Sequence, residues 1–242
     1  MAVVWRPLQV EQGVSVNAYS EPGSTSKRRI YQEIRRAIIM GDSQPGTRLD
    51  LEVLAKSHGT SVTPVRDALQ MLGQEGLVSI KPRSGYFVTH ITLKQLRDLL
   101  DMREILETAS IERATGRITE EQLRELEQVH AGYTGRDDES YVRYMEENRR
   151  FHCLVAQASG NRELTDALGR LHDRLVRFMV LVHMGETLES RHAKLIGALR
   201  TRDALAARQA MLDEINETRE AILERVIEEE GPHWRLGERS AA

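Results

Sequence analysis

The sequence predicts a mainly α-helical chain in two parts, a small N-terminal unit containing one β-hairpin and a larger all-helical body. Three observations lead there. Apolar residues recur at three- and four-residue spacing over most of the chain, the period of a helix with one buried face. Strand signals are confined to two short runs, 77–81 and 86–89. Aromatic residues make up only 5% of the chain, too few for a β sandwich, which draws on them heavily. The 242 residues suit one large domain or two small ones, and 40% apolar against 29% charged is the balance of a folded globular protein.

Residues 1–26 end in Ser-Glu-Pro-Gly-Ser-Thr-Ser, a composition that predicts a flexible arm. From Lys27 the pattern changes. Ile30, Ile34, Ala37 and Ile38 share one helical face, so 27–40 is expected as an amphipathic helix stopped by Gly41. Pro45-Gly46 marks a turn. Leu51, Leu54 and Ala55 define a short helix ending near Gly59. Ser61 and Thr63 are candidate N-caps for a third helix, and Pro64 suits its first turn. That helix turns Val65, Ala68, Leu69 and Leu72 inward and stops near Gly76. The two strands follow, joined at Pro82-Arg83-Ser84-Gly85.

The remaining chain reads as helices near 93–115, 119–133, 137–159, 162–184, 187–201 and 203–229, joined by short connections, which describes an antiparallel bundle. Thr92-x-x-Gln95 and Thr119-x-x-Gln122 are capping-box starts. Gly116, Gly135, Gly160, Gly185 and Asp203 fall at or near the breaks. The expected domains are therefore 27–92 and 93–230, with a tail over 231–242.

Helix, short helix, tight turn, helix and hairpin, in that order, is a winged helix-turn-helix. In such a unit the third helix enters the DNA major groove and its N-terminal residues face base edges. The charge distribution agrees with that use. Residues 27–92 hold 10 Lys/Arg against 6 Asp/Glu, whereas the whole chain is net −3. Candidate DNA contacts are Arg35 on the first helix, Ser61, Val62, Thr63 and Arg66 on the third, and Lys81, Arg83 and Gly85 on the hairpin.

In the body, Asn148 and His152 lie four residues apart on one helix face, His192 follows on a later helix, and Glu214 lies within the last. Four polar groups from three helices can converge in a bundle core, as metal ligands do. Two imidazoles and a carboxylate suit a divalent ion such as Zn, Ni or Mn. Arg103, with Glu107 four residues on, suggests either a guanidinium that grips a carboxylate effector or a salt bridge within the helix. His58, His90, His130, His172, His183 and His233 show no such constellation and are expected to be structural or surface residues. The lone Cys153 excludes an internal disulfide framework and reads as a small buried residue.

These residues resemble a known family. Pro45-Gly46-Thr47-Arg48-Leu49, Leu54-Ala55, Thr63-Pro64-Val65-Arg66-Asp67-Ala68-Leu69, Glu75-Gly76-Leu77-Val78 and Arg83-Ser84-Gly85-Tyr86-Phe87-Val88 resemble the DNA-binding domain of GntR-family regulators. Arg103-Glu104-Ile105-Leu106-Glu107, Phe151-His152, Ala158-Ser159-Gly160-Asn161, His192 and Asp203-Ala204-Leu205 resemble the all-helical FCD ligand domain of the FadR-like branch. The resemblance spans about residues 27–227 in order and spacing. It implies a ligand-responsive transcription regulator, usually a repressor, with a two-fold DNA operator, a small-molecule effector and a homodimer as its partners.

Two departures from the family's pattern stand out. The family usually has Arg where this chain has Val62, which removes a bidentate contact to guanine worth about 1–3 kcal/mol of discrimination. Metal-binding members place Asp, His, His and His at the positions of Asn148, His152, His192 and Glu214. Here both histidines are kept and the other two ligands differ. Acyl-CoA-binding members of the branch take their effector without a metal, so both arrangements stay open.

Alternative readings are a metal-dependent enzyme built on the helical bundle and a protein-binding adaptor. The sequence has no His-Glu-x-x-His, no Gly-x-Ser-x-Gly and no phosphate-binding glycine loop, which speaks against an enzyme. With no apolar run of about 20 residues and no signal-peptide core at the N-terminus, the expected location is the cytoplasm, away from membranes.

Overall fold

A computed structural model describes residues 26–129, 138–181 and 185–230. The expected arm over 1–25, the last turn of the helix expected to reach 133, and the tail over 231–242 lie outside the described residues, as do Gly135, His130, His183 and His233. The chain divides into two compact units, with the boundary between His90 and Ile91.

The first unit runs α1 (Ser26–Ile39), β1 (Arg48–Leu49), α2 (Leu51–Ser57), α3 (Val62–Gln74), β2 (Val78–Lys81) and β3 (Gly85–Val88). Ile30, Ile34 and Ile38 form one stripe of α1 and pack with Leu54 of α2, with Val65, Leu69 and Leu72 of α3, and with Val88 of β3. Each fully buried Leu or Ile stabilises by about 1.5–3 kcal/mol, so this small unit depends on few residues. Asp50 caps α2, its side chain accepting hydrogen bonds from the backbone N–H of Glu52 and Val53. Gly59, at φ +63°, turns the chain from α2 into α3 in a conformation that costs other residues about 1–2 kcal/mol.

The hairpin matches expectation to within a residue, and the structure adds a strand. β1 pairs antiparallel with β3, Arg48 opposite Phe87, giving the sheet order β1-β3-β2. Two residues are too few to show a period of two, so this strand exists only through its tertiary pairing.

The second unit is all helical among the described residues: α4 (Leu93–Thr115), α5 (Glu120–Gln128), α6 (Asp138–Ala158), α7 (Arg162–Leu181), α8 (Gly185–Thr201) and α9 (Ala204–Glu230). Both capping boxes form, Thr92 with Gln95 and Thr119 with Gln122. Asp203 caps α9 through the N–H groups of Leu205 and Ala206. α4 packs against α6, α7, α8 and α9, which makes it the central helix. One part of the core is apolar, with Ile111 of α4, Phe151 and Val155 of α6, Leu195 of α8 and Ile215 of α9. One turn earlier along α4 the interior is polar. Arg103 and Glu107 are almost completely buried there, and they are the start of a second site. No helix among the described residues is long and apolar enough to cross a membrane.

Candidate functional site

The first unit presents an exposed face on α3. Ser61, Thr63, Arg66 and Gln70 are solvent-exposed, while Val65, Ala68, Leu69 and Leu72 hold the opposite face in the core. Ser61 occupies the N-cap position, yet its hydroxyl makes no capping bond. A hydroxyl at a helix N-terminus that is not spent on its own helix can donate to a phosphate. Thr63 and Arg66, three residues apart, project from the same first turns.

The hairpin carries a second basic group. Lys81 and Arg83 are exposed, and the Lys81 ammonium lies 4.8 Å from the centre of the Phe87 ring. Arg83 adopts φ +62° at the tip, where glycine is the easy choice. Gly85, at φ +108°, lies directly across from Lys81, and a Cβ built there would come 3.8 Å from Arg48 Nε. Arg48 is exposed on β1 and adds a cation to this edge. Sequence reasoning missed it, because the signal is a strand pairing and not a motif.

Two expected contacts sit differently from expectation. Arg35 is half-buried, its Nε 3.3 Å from Glu75 Oε2, and Tyr31 donates to the other oxygen of the same carboxylate. Its guanidinium is committed to tying α1 to the end of α3, so Arg35 leaves the exposed set. Val62 is half-buried and packs on the core of the unit, so only part of its surface faces outward.

The second site lies inside the helical unit. Arg103 and Glu107 of α4, Asn148 and His152 of α6, His172 of α7, His192 of α8 and Glu214 of α9 are all buried. Of the five positions expected from sequence, the structure brings together Arg103, His152, His192 and Glu214 and adds Glu107 and His172, while Asn148 is buried one turn before His152 on α6. His172, expected to be structural or on the surface, belongs to the cluster, with Nε2 2.8 Å from Glu107 Oε1. The overlooked signal was α4 itself, which places Arg103, Glu107, Thr108 and Ser110 on a face that a bundle normally fills with leucine.

The contacts form a closed chain. Arg103 donates from Nε to Glu107 Oε1 at 2.8 Å and from Nη2 to Glu214 Oε1 at 3.4 Å. His152 lies between the two carboxylates, Nδ1 2.8 Å from Glu107 Oε2 and Nε2 3.1 Å from Glu214 Oε1. Both approaches are angled, so they are ion pairs more than aligned hydrogen bonds. His192 Nε2 is 3.8 Å from the same Glu214 oxygen, and its ring stacks flat on Phe151 at 3.7 Å and 3°. Arg103 is therefore both partners' counter-ion, and the helix-internal pair expected with Glu107 is present.

Burial pushes each of these groups toward its neutral form, and the neighbours decide which ones resist. For His152, burial is outweighed by Glu107 and Glu214, which lift its pKa to about 9. Burial favours neutral carboxyls too, but Arg103 and His152 hold Glu107 well below the usual carboxylate range, and His152 and His192 do the same for Glu214. Burial wins at His172, whose pKa falls to about 4, and at His192, which is also lowered. At neutral pH the cluster holds two carboxylates, one guanidinium and one imidazolium, a net charge of zero.

Among the described residues, two sets of three ligand atoms lie within 4.8 Å of one another, Glu107–His152–His172 and His152–His192–Glu214. The second is the better cation site. Arg103 presses on Glu107 through Nε at 2.8 Å but reaches Glu214 only through Nη2 at 3.4 Å, so a cation beside Glu214 meets less repulsion. Asn148 Oδ1 and Glu214 Oε2 are buried and make no hydrogen bond with any described residue, which leaves both open as further ligands. The donor set of His152, His192, Glu214 and Asn148 fits a divalent ion, with His152 giving up its proton.

Other residues fall where they carry no site. His58 pairs with Glu33 at 3.0 Å, and His90 is exposed. Cys153 is half-buried, less enclosed than expected, and burial pushes its thiol up.

The model for bacterial regulatory proteins of the gntR family matches residues 26–88, and the FCD domain model matches residues 98–217. The HTH-type transcriptional repressor RspR of Escherichia coli is 30% identical over 227 residues, covering 91% of this chain and 98% of that protein. The HTH-type transcriptional regulator YdhC of Bacillus subtilis is 29% identical, covering 83% of this chain and 92% of its own length. Among solved structures, E. coli McbR/YncC superposes with a TM-score of 0.63 at 20% identity, covering 84% of this chain and 99% of that one, a likeness of fold.

Proposed function

From the premise that the chain belongs to the gntR family of bacterial regulatory proteins and carries an FCD domain, we propose that it is a repressor controlled by a small carboxylic acid. As a family member it is a DNA-binding transcriptional regulator and not an enzyme. The observation that carries the proposal is the buried cluster around Arg103. A folded core tolerates this many buried polar groups only when they hold one another or a ligand, and four of their atoms stay unmatched. Arg103 Nη1, Asn148 Oδ1, His172 Nδ1 and Glu214 Oε2 make no hydrogen bond with a described residue.

His152, His192, Glu214 and Asn148 would hold a divalent cation, Zn, Ni or Mn, whose chemistry here is a Lewis-acid anchor for an anion. Arg103 Nη1 supplies a second, directional donor for a carboxylate. The charges support an anionic effector. Exchanging the His152 proton for a divalent ion takes the cluster from zero to +1, and one carboxylate restores neutrality.

On the DNA side, Ser61 and Thr63 contact phosphates, Arg66 contacts a phosphate or base edge, and Lys81 and Arg83 reach the neighbouring backbone or minor groove. Val62, half-buried, contributes at most an apolar edge to a thymine methyl. The proposed assembly is a homodimer on a two-fold operator, so that two α3 helices read equivalent half-sites. Effector control requires different affinity for the DNA-competent and DNA-incompetent states.

The test is fluorescence anisotropy of the full chain on the DNA upstream of its own gene, at two salt concentrations. Specific, salt-sensitive binding that an organic acid reverses supports the reading. Binding no different from that to random DNA, or an operator complex indifferent to a broad panel of carboxylic acids, removes it.

A further inference from the structure

We propose that Glu107, held in place by His172, is the positioning residue of the buried cluster and sets which nitrogen of His152 faces the cation. The inference rests on the metal reading above and assigns work to two residues outside the ligand set.

Glu107 uses both oxygens. Oε1 receives Arg103 Nε and His172 Nε2, each at 2.8 Å, and Oε2 lies 2.8 Å from His152 Nδ1. A carboxylate can only accept, so His172 carries its proton on Nε2; both His152 nitrogens face carboxylates, and the shorter approach, 2.8 Å to Glu107 against 3.1 Å to Glu214, favours the proton on Nδ1. With the proton on Nδ1, the lone pair of the neutral ring lies on Nε2. That nitrogen is the one directed at Glu214, 3.1 Å away, in the set shared with His192. The opposite tautomer would aim the lone pair at Glu107 and away from the other ligands.

A carboxylate can swing about its last bond, so it needs its own support. The supports come from two helices. Arg103 lies one turn before Glu107 on α4, and His172 comes across from α7 with its ring stacked 5.0 Å from that of His152. The Glu107–His152–His172 set is accordingly a cradle for the ligand His152 and not a second metal site. Partners that orient a ligand imidazole in this way are worth about 10–100-fold in metal affinity.

The test is competitive titration of the full chain with Zn²⁺ against a chromophoric chelator, together with the visible absorption of the Co²⁺ form. Four proteins are compared: wild type, Glu107→Gln, His172→Gln and His172→Leu. Gln at 172 keeps a donor near the position of Nε2, and Leu keeps only bulk. Glu107→Gln and His172→Leu should weaken Zn²⁺ binding by about tenfold or more and alter the Co²⁺ spectrum, while His172→Gln should stay within about threefold of wild type. Wild-type affinity and spectrum in Glu107→Gln overturn the inference and leave the metal reading standing. Should Glu107→Gln fail to fold, equal affinities for His172→Gln and His172→Leu overturn it instead. A wild-type chain that takes up neither ion removes the metal reading and this inference with it.

Discussion

His152 and Glu107 face each other across 2.8 Å in the interior of the helical unit, Nδ1 against Oε2, with both side chains essentially closed to water. The pair makes the unit's stability depend on pH in two directions. In metal-free protein, the His152 pKa of about 9 exceeds its unfolded value of about 6.5. Its contribution is complete below about 6.5 and is lost as pH rises through 9. His172, at about 4, and His192, also lowered, act oppositely, because the unfolded chain binds protons that the folded one refuses. Stability of the helical unit should therefore peak near pH 6.5 and fall on both sides. Urea unfolding at pH 5, 6.5 and 9 in the presence of a chelator checks this, and His152→Gln should flatten the alkaline limb. A monotonic profile would count against the charge assignment.

Glu214 neutralises two groups at once, Arg103 at 3.4 Å and His152 at 3.1 Å. Glu214→Ala should destabilise by about 3–5 kcal/mol, the range for leaving a buried charge without its partner. Glu214→Gln should cost less, because the amide oxygen still accepts. Chemical denaturation of the metal-free variants reads the difference, and near-equal stabilities for wild type and Glu214→Ala would mean that the carboxylate is not a counter-ion.

Arg66→Ala should weaken operator binding by about 1–3 kcal/mol, five- to 150-fold, without changing the far-ultraviolet circular dichroism. Arg66 is exposed and the core of its helix is built from Val65, Leu69 and Leu72, so loss of the side chain leaves the unit folded. Unchanged affinity at physiological salt would remove Arg66 from the interface.

Arg83 separates stability from recognition. It holds φ +62° at the hairpin tip, which costs a non-glycine residue about 1–2 kcal/mol. Arg83→Gly should leave the unit as stable as wild type or slightly more so, while weakening DNA binding. Thermal melts and anisotropy on the same samples check the split. A variant with reduced stability and unchanged binding would assign Arg83 a structural role only.

Leu69→Ala should cost about 2–5 kcal/mol, because Leu69 is fully buried in a core of few residues. Loss of cooperative melting in the first unit, with DNA binding lost in parallel, is the expected result.

Much of the fold was legible in the chain, because helix period, caps and glycine stops are local. The 93–115 expectation matches α4 residue for residue, and Thr92-Gln95 and Thr119-Gln122 cap as their spacing implies. The strand Arg48–Leu49 was not legible, since two residues carry no period and need β3 beside them. The same division runs through the sites. That Arg66, Lys81 and Arg83 are exposed was legible, because a polar side chain on the outer face of a recognised element needs no partner to be placed. Arg35 was misplaced for the converse reason, as its fate depends on Glu75, 40 residues away.

Local pattern was enough for the two-part helical architecture, for the polar positions 103, 148, 152, 192 and 214, and for the family those residues resemble. Packing between distant helices was needed to show that His172 and Glu107 join them, that Arg103 is shared between two carboxylates, and that His152 carries the charge. Periodicity reports which face of a helix is buried. It does not report which buried faces meet, and a proton's position among buried groups is set by distances between helices that lie far apart in the chain.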